Sequence, residues 1–246
     1  MQKYFISEED FANNKITSDD VFHIKNVMRG KIGDEILVGC NGKSYLAKIS
    51  KISNEVNFEI IEEKIGNHEL PISVFVYQGY PKSDKIEEII KHSTELGATS
   101  IIPTLMKRSV FKLDEKKKDS KLIRFNRIAK EAAEQSFRDV VPQIEDIVKL
   151  KSVDFSAFDK RILCFEDDAK DGEVSNFKSV ISSLKPNDKV AVVIGPEGGI
   201  DLDEVWWLKS QGFISCGVGP RILRTETVVF YVLSAISYEM ELKKWK

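Results

Sequence analysis

This chain of 246 residues lacks the features that mark membrane and secreted proteins. No apolar run approaches the roughly 20 residues that cross a bilayer, and residues 1–9 lack the apolar core of a secretion signal. The three cysteines, Cys40, Cys164 and Cys216, are widely spaced and odd in number, which argues against a disulfide framework. We therefore expect a cytoplasmic protein with reduced thiols.

Residues that bind metals are also scarce. The sequence contains only three histidines and no Cys-x-x-Cys pair. Structural zinc sites need four such ligands at close spacing, so we expect no metal site. The chain has no internal repeat and no low-complexity segment.

Charge is distributed unevenly although the formal net charge is only −2. Residues 105–130 contain ten Lys or Arg against three acidic residues, a local excess of seven positive charges. Such a block can contact the phosphates of a nucleic acid. The alternative is a solvated loop and helix face, which charge alone does not exclude.

The first seventy residues have the pattern of a small β domain. Asn41-Gly42 separates two apolar-alternating segments, 35–38 and 44–49, which is typical of a hairpin because both central residues of a type I′ turn need positive φ. The pattern changes at 66–71, so we predict one domain at 1–70 and a second at 71–246.

The second domain alternates strand and helix patterns. Apolar segments at 72–77, 100–102, 161–165 and 190–194 are separated by amphipathic segments. This alternation predicts an α/β fold with a parallel sheet covered on both faces.

Two glycine-rich turns near the C-terminus give the clearest functional signal. They follow the predicted strands 190–194 and 213–216, and a helix pattern follows each turn. Ligands of parallel α/β proteins bind at the carboxyl ends of strands, so the two turns predict one shared pocket. The first turn lacks the Gly-Lys-Ser/Thr of a nucleoside triphosphate site, and in the second Ile222 replaces the third glycine of a dinucleotide fingerprint.

The residues of both turns resemble a known family. Ile-Gly-Pro-Glu-Gly-Gly at 194–199, followed by Gly-Pro-Arg-Ile-Leu-Arg-Thr-Glu-Thr at 219–227, resembles the RsmE ribosomal RNA uridine-N3 methyltransferases of the SPOUT superfamily. Segments within 95–109 and 127–142, and parts of the first 29 residues, match as well, so the resemblance covers nearly the whole chain. One departure is Lys3, where arginine is usual and could hold phosphate with two parallel hydrogen bonds.

The resemblance implies a fold, a cofactor and partners. The fold would be a small PUA-like β-barrel before a knotted (trefoil) parallel-sheet SPOUT methyltransferase domain, working as a homodimer. The cofactor would be S-adenosylmethionine, and the substrate a uridine of 16S ribosomal RNA within the assembled small subunit. The implied cofactor-binding residues are Phe165, Glu166, Ile194, Gly195, Pro196, Glu197, Gly198, Gly199, Val218, Gly219, Ile222, Leu223, Arg224, Thr225 and Thr227. The implied RNA-binding residues are Lys3, Arg29, Lys107, Arg108, Arg127, Arg138 and Arg221.

The reaction suggests candidates for catalysis. Uridine N3 carries a proton, so either a base removes it or a cation stabilises the uridine anion. Arg224 and Arg221 are candidates for the cation, and Glu197 and Glu226 for a carboxylate near the site. The sequence does not decide between the two carboxylates.

Each assignment has an alternative. Glycine turns can serve backbone geometry alone, and Thr225 and Glu226 suit a helix N-terminus. Arg108 and Arg138 can form surface salt bridges. The protein as a whole could instead be a non-catalytic RNA-binding assembly factor, or a nicotinamide oxidoreductase, which the missing third glycine disfavours.

Overall fold

The computed structural model describes residues 1–17, 19–66, 68–82, 85–111, 115–170 and 175–243. The chain divides into two compact units, one formed by residues 1–69 and 130–141 and the other by residues 70–129 and 142–246. The boundary predicted at residue 70 does not account for residues 130–141, which pack with the N-terminal unit.

The first unit is built on a five-stranded sheet with the strand order β1-β3-β4-β5-β2. Strand β1 pairs parallel with β3, and the other neighbours are antiparallel. The strands are β1 (Lys3–Phe5), β2 (Lys15–Ile16), β3 (Glu35–Cys40), β4 (Lys43–Ile52) and β5 (Val56–Lys64), with helices α1 (Glu8–Ala12) and α2 (Asp20–Phe22) and a π-helical turn (His23–Val27).

The hairpin predicted at Asn41-Gly42 is confirmed. Their φ values are 50° and 73°, and Cys40 pairs with Lys43 across the turn. The inward residues of β3, β4 and β5 then form one buried core with Tyr4. The alternation of apolar residues along these strands places that face inward.

A buried polar network binds residues 130–141 to the N-terminal strands. The ammonium of Lys3 donates to the hydroxyl of Ser44 at 2.6 Å and lies 3.4 Å from Oδ1 of Asp139. The Ser44 hydroxyl donates to the same carboxylate oxygen at 2.7 Å. Nearby, Glu134 accepts a hydrogen bond from the backbone N–H of Phe5 at 2.8 Å. These contacts join segments far apart in sequence, which periodicity cannot predict.

The second unit is built on a parallel sheet with the strand order β12-β10-β11-β6-β7-β8, and β9 also pairs with β7. This confirms the predicted parallel α/β architecture. The strands are β6 (Ser73–Gly79), β7 (Ser100–Leu105), β8 (Gln143–Ile144), β9 (Val148–Lys149), β10 (Lys160–Cys164), β11 (Lys189–Ile194) and β12 (Ile214–Cys216).

Among its described residues, six helices belong wholly or partly to this unit. They are α3 (Lys85–Glu95), α4 (Glu115–Gln135), α5 (Glu166–Lys170), α6 (Asn176–Ser182), α7 (Leu202–Ser210) and α8 (Thr225–Ser237), with a 3₁₀ turn (Leu150–Ser152) and a π-helical turn (Tyr238–Leu242). Helices α3 and α8 pack side by side, with the rings of His92 and Phe230 5.3 Å apart.

The central strands β6, β10 and β11 are almost fully buried because both faces of the sheet are covered. Their side chains form a core with Phe155, Leu208 and Phe213. Within the described ranges, no helix is both long and apolar enough to span a bilayer.

Candidate active site

A cavity of about 370 Å³ lies at the carboxyl ends of the strands of the second unit. Cys164 at the end of β10 is in register with Ile194 of β11 on one side and with Cys216 of β12 on the other. The loops that leave these three strands therefore converge. The volume falls in the range of about 300–1,000 Å³ that is typical of small-molecule sites.

The first glycine turn, residues 195–200, is closely packed. A Cβ on Gly195 would lie 2.7 Å from Cγ1 of Ile200 and 3.0 Å from the carbonyl carbon of Gly199. Gly199 has φ of +70°, and its N–H donates to the carbonyl of Pro196 at 2.9 Å. Both glycines are therefore needed for the shape of this turn, whether or not a ligand is bound.

A third glycine, which the sequence analysis missed, completes the packing. A Cβ on Gly79 would lie 2.4 Å from the backbone nitrogen of Pro196, closer than real Cβ atoms approach. Gly79 ends β6, the neighbour of β11, so its lack of a side chain lets the first glycine turn cross the end of the sheet. In the sequence, a glycine at the end of a predicted buried strand could have pointed to this role of Gly79.

A hydrogen-bonded chain links this turn to the last helix. The side-chain amide of Gln78 donates to Oγ1 of Thr225 at 2.8 Å, and that hydroxyl donates to the carbonyl of Gly195 at 2.6 Å. Gln78 is fully buried and Thr225 is nearly so. The alternative that Thr225 caps the helix is wrong, because Thr225 is the first residue of α8 and its hydroxyl holds the glycine turn instead.

The second glycine turn forms the opposite wall. Val218, Ile222 and Leu223 supply apolar surface to the cavity, which Phe165, the residue after β10, also lines. Gly219 has φ of +105° and, among the described residues, no atom within 4 Å of where its Cβ would be. Backbone conformation, rather than space, requires glycine at this position.

Ionisable side chains gather at one edge of the cavity. Both carboxylate oxygens of Glu197 lie 3.1 Å from the backbone N–H of Lys82. The ammonium of Lys85, the first residue of α3, lies 3.6 Å from Glu197 and 3.3 Å from Glu226. Arg224 is exposed at the N-terminus of α8 and makes no ion pair within the described part of the chain.

Cys164 also lines the cavity, but as a thiol. Burial, reinforced by Cys216 beside it, raises the pKa of Cys164 well above its ordinary value. A protonated thiol is a poor nucleophile, so Cys164 contributes apolar surface rather than covalent chemistry.

Twelve of the fifteen predicted cofactor residues line this one cavity. They are Phe165, Glu166, Ile194, Gly195, Pro196, Glu197, Gly199, Val218, Ile222, Leu223, Arg224 and Thr225. Gly198, Gly219 and Thr227 lie outside the lining, as does Glu226. Arg221, predicted to bind RNA, also lines it, together with four residues that were not predicted: Lys85, Cys164, Ile200 and Val228.

The residues missed by the sequence analysis had weak signals. Cys164, Ile200 and Val228 flank predicted residues and could have been found by extending each segment. Lys85 lies more than a hundred residues before Glu197, and only its place in the first turn after a buried strand pointed to the site.

The basic residues after β7 contact the start of α7. The ammonium of Lys107 lies 2.8 Å from Asp201 and 3.0 Å from Asp203, and the hydrogen bond from Lys107 holds the pKa of Asp201 below its ordinary value. Arg108 donates to the carbonyl of Gly198 at 3.2 Å and also pairs with Asp201. The salt-bridge alternative for Arg108 is therefore confirmed, although both cations stay about half exposed.

Two predicted RNA contacts need correction. Lys3 is 1% exposed and Arg138 is 3% exposed. The Arg138 guanidinium is held by Glu69, which makes the salt bridge foreseen as the alternative, though a buried one. A buried, paired cation cannot reach a phosphate, so these two side chains stabilise the first unit instead. Arg29 and Arg127 are exposed, and Arg29 has φ of 52°.

The fold and the site together define a parallel α/β protein with a small-ligand cavity formed by two glycine turns beside an edge of ionisable groups. Residues 68–237 match the family model of an RNA methyltransferase domain, and residues 16–61 match an RNA methyltransferase PUA domain. Over 253 residues, 98% of each chain, the sequence is 44% identical to ribosomal RNA small subunit methyltransferase E of Bacillus subtilis. The chain belongs to the ribosomal RNA small subunit methyltransferase E family.

Solved structures agree with this fold. The Neisseria gonorrhoeae ribosomal RNA small subunit methyltransferase E bound to S-adenosylmethionine is 24% identical, covers 96% of this chain and 97% of its own, and superposes with a TM-score of 0.81. A Legionella pneumophila protein solved with the same cofactor is 25% identical over 91% of this chain and 90% of its own, also with a TM-score of 0.81. The predicted fold class, a PUA-like unit and a parallel-sheet methyltransferase unit, is confirmed.

Proposed function

We propose that this chain methylates N3 of one uridine in 16S ribosomal RNA, using S-adenosylmethionine. The observation that carries the proposal is the cavity at the ends of β10, β11 and β12, where two glycine turns meet Glu197, Lys85 and Arg224. Membership in the methyltransferase E family supports the reaction class. The cofactor in the Neisseria and Legionella structures supports the choice of methyl donor.

The residues of the cavity fit this cofactor in size and chemistry. Phe165, Ile222 and Leu223 offer apolar surface for the adenine ring, and the carboxylate of Glu166 lines the same cavity. Gly195 and Gly199 line the cavity and let the first glycine turn adopt the conformation that presents its backbone there. We assign the cofactor contacts to the twelve predicted residues that line the cavity.

Chemistry at N3 needs alignment and charge. S-adenosylmethionine supplies a methyl group that a sulfonium sulfur already activates, so no covalent enzyme intermediate is required. The N3–H bond breaks and its proton passes to a carboxylate. The electron pair left on N3 forms the bond to the methyl carbon, and sulfur keeps the electron pair of the broken S–C bond. We assign the proton to Glu197, which lines the cavity, and stabilisation of the negative uracil oxygens to Arg224. Glu226 acts through Lys85.

The RNA contacts belong to exposed cations of both units. Arg29 lies in the PUA-like unit, and Lys107, Arg108, Arg127 and Arg221 in the methyltransferase unit. Such contacts position an RNA without reading its bases. We further propose a cytoplasmic homodimer with a trefoil knot in the methyltransferase unit that acts on the assembled small subunit.

Mass spectrometry of 16S RNA from cells lacking the gene tests the proposal. We expect one methyl group to be missing, at N3 of a uridine. Expression of the wild-type protein restores it, Glu197→Gln does not, and the matched control Glu88→Gln, on the exposed side of α3, does. Unchanged 16S RNA in the deletion strain refutes the proposed reaction. A defect in subunit assembly with unchanged methylation would identify a non-catalytic assembly factor instead.

A further inference from the structure

One lysine lies between two carboxylates at the edge of the cavity. The ammonium of Lys85 lies 3.3 Å from Oε1 of Glu226 and 3.6 Å from Oε1 of Glu197. The three side chains come from separate elements: the start of α3, the first glycine turn and the first turn of α8. Their exposed fractions are 35% for Lys85, 27% for Glu197 and 14% for Glu226. The cluster is thus half-buried, where charges are less screened than at an open surface.

The two carboxylates are held in different ways. Glu226 lies in the first turn of α8, where the helix dipole favours a negative charge, and it does not line the cavity. Glu197 lines the cavity and is fixed on one side by the backbone N–H of Lys82. Glu226, which lies outside the cavity lining, therefore holds Lys85 by an ion pair. The Lys85 ammonium is in turn the second contact that fixes Glu197.

We infer that Lys85 is a positioning residue that holds the carboxylate of Glu197 in place, between the backbone of Lys82 and the carboxylate of Glu226, so that Glu197 can accept the N3 proton of uridine. The inference rests on the function proposed above. In the transfer, the N3–H bond breaks and an O–H bond forms on Glu197, which later releases the proton to water.

Other charged groups at the cavity do not replace Lys85. Glu166 lines the cavity next to Gly199 and adds negative charge, while Arg221 and Arg224 line the wall formed by the second glycine turn. In the described part of the chain, no guanidinium nitrogen of either arginine lies within 4.0 Å of a carboxylate oxygen. Lys85 is thus the cation that the described residues place between Glu197 and Glu226.

Removal of the ammonium gives a specific kinetic signature. Without Lys85 the carboxylate of Glu197 loses one of the contacts that fix it, and no ammonium lies between it and Glu226. For Lys85→Met we expect kcat for methyl transfer to fall about tenfold, because the accepting carboxylate is no longer held in one position. The KM for small ribosomal subunits should stay within about twofold of wild type, since a phosphate contact would mainly change KM.

Three further variants complete the test. Lys85→Arg keeps the positive charge and should recover most of the activity. Adding Glu226→Gln to Lys85→Met removes the repulsion between the two carboxylates and should recover part of the lost kcat. Lys91→Met removes an exposed lysine of the same helix and should leave kcat and KM unchanged.

A readout without turnover separates this inference from the proposed reaction. The Lys82 amide is protected by its hydrogen bond to Glu197, so its hydrogen exchange should accelerate in Lys85→Met and not in Lys91→Met. Equal exchange in both variants, or a wild-type kcat in Lys85→Met, overturns the role of Lys85. A rise in KM alone overturns it too and marks Lys85 as an RNA contact. If wild-type protein transfers no methyl group to uridine, the proposed reaction fails, while accelerated exchange would still assign the placement of Glu197 to Lys85.

Discussion

Thr225→Val is the most direct test of how the cavity is held together. Valine has nearly the shape of threonine, so the substitution removes the hydroxyl and little else. The Thr225 hydroxyl accepts from Gln78 and donates to the carbonyl of Gly195. Thr225→Ser is the matched control, because it keeps the hydroxyl and loses only a methyl group.

The expected magnitude follows from the two lost hydrogen bonds. The amide of Gln78 is fully buried and keeps only its contact with the carbonyl of Gly79 at 3.0 Å. Its Oε1 atom is an acceptor with no hydrogen-bond partner among the described residues, so the side chain has no further contact that offsets the loss. A buried group left unpaired costs about 1–3 kcal/mol. Gly195 is only half-buried, and water can satisfy its carbonyl in part. We therefore expect Thr225→Val to lose about 2–3 kcal/mol.

Thermal melting and cofactor binding measure this loss. A loss of about 2–3 kcal/mol lowers the Tm of a unit of this size by roughly 4–12 °C. Tryptophan fluorescence reports on the second unit, because Trp206 and Trp207 lie on α7. Calorimetry should show S-adenosylmethionine binding at least about tenfold more weakly, equivalent to about 1.4 kcal/mol, since the Gly195 turn is no longer held to α8. Thr225→Ser should change both values much less.

Two outcomes would refute this reasoning. If Thr225→Val binds the cofactor and melts as the wild type does, the hydrogen-bonded chain from Gln78 to Gly195 does not hold the turn. If Thr225→Ser is as weak as Thr225→Val, the methyl group rather than the hydroxyl supports the site.

Three further changes test other parts of the structure. Gly195→Ala should abolish binding of S-adenosylmethionine in calorimetry while far-UV circular dichroism stays native, because the new methyl group collides with the turn itself; unchanged affinity would contradict the packing described. Burial works against ionisation of Asp139, but the Ser44 hydroxyl and the Lys3 ammonium more than offset it, so the pKa of Asp139 lies below its ordinary value. Its ionised form therefore stabilises the fold above about pH 4, and that stability is lost as pH falls through the lowered pKa. The difference in unfolding free energy between wild type and Asp139→Asn, measured in guanidinium, should be largest at pH 7 and shrink as the pH falls through the lowered pKa of Asp139; a constant difference would show that the charge is not involved. For Arg221→Ala, the plot of log RNA affinity against log salt concentration should lose about one unit of slope, while the Tm stays unchanged. Lys3→Met should instead lower the Tm and leave that slope unchanged. The reverse pattern would restore Lys3 as a phosphate contact.

The site could be predicted to the extent that its residues are contiguous in sequence. The two glycine turns are short segments whose composition already demands unusual backbone, and the strands before them are apolar enough to be recognised. The parallel sheet then brings their ends together, because parallel strands present all carboxyl ends at one edge. This is why most of the predicted cofactor residues line one cavity.

Residues that act across long separations could not be predicted in this way. Lys85 and Gly79 carry no motif, and their roles depend on which turn crosses the end of β6. Lys3 was misjudged for the same reason. The family resemblance assigned it to RNA, and only its contacts with Ser44 and Asp139 show that it is buried.

The sequence by itself determined the local conformations of this protein: the hairpin at Asn41-Gly42, the alternation of strands and helices, and the two glycine turns. These depend on φ preferences and apolar periodicity, which are properties of neighbouring residues. The tertiary structure alone decided which charges are paired, which are buried and which face the cavity. Lys3, Lys85 and Arg108 are all cations in sequence, and their different roles arise because a charge is stabilised by whichever partners the fold brings within a few ångströms.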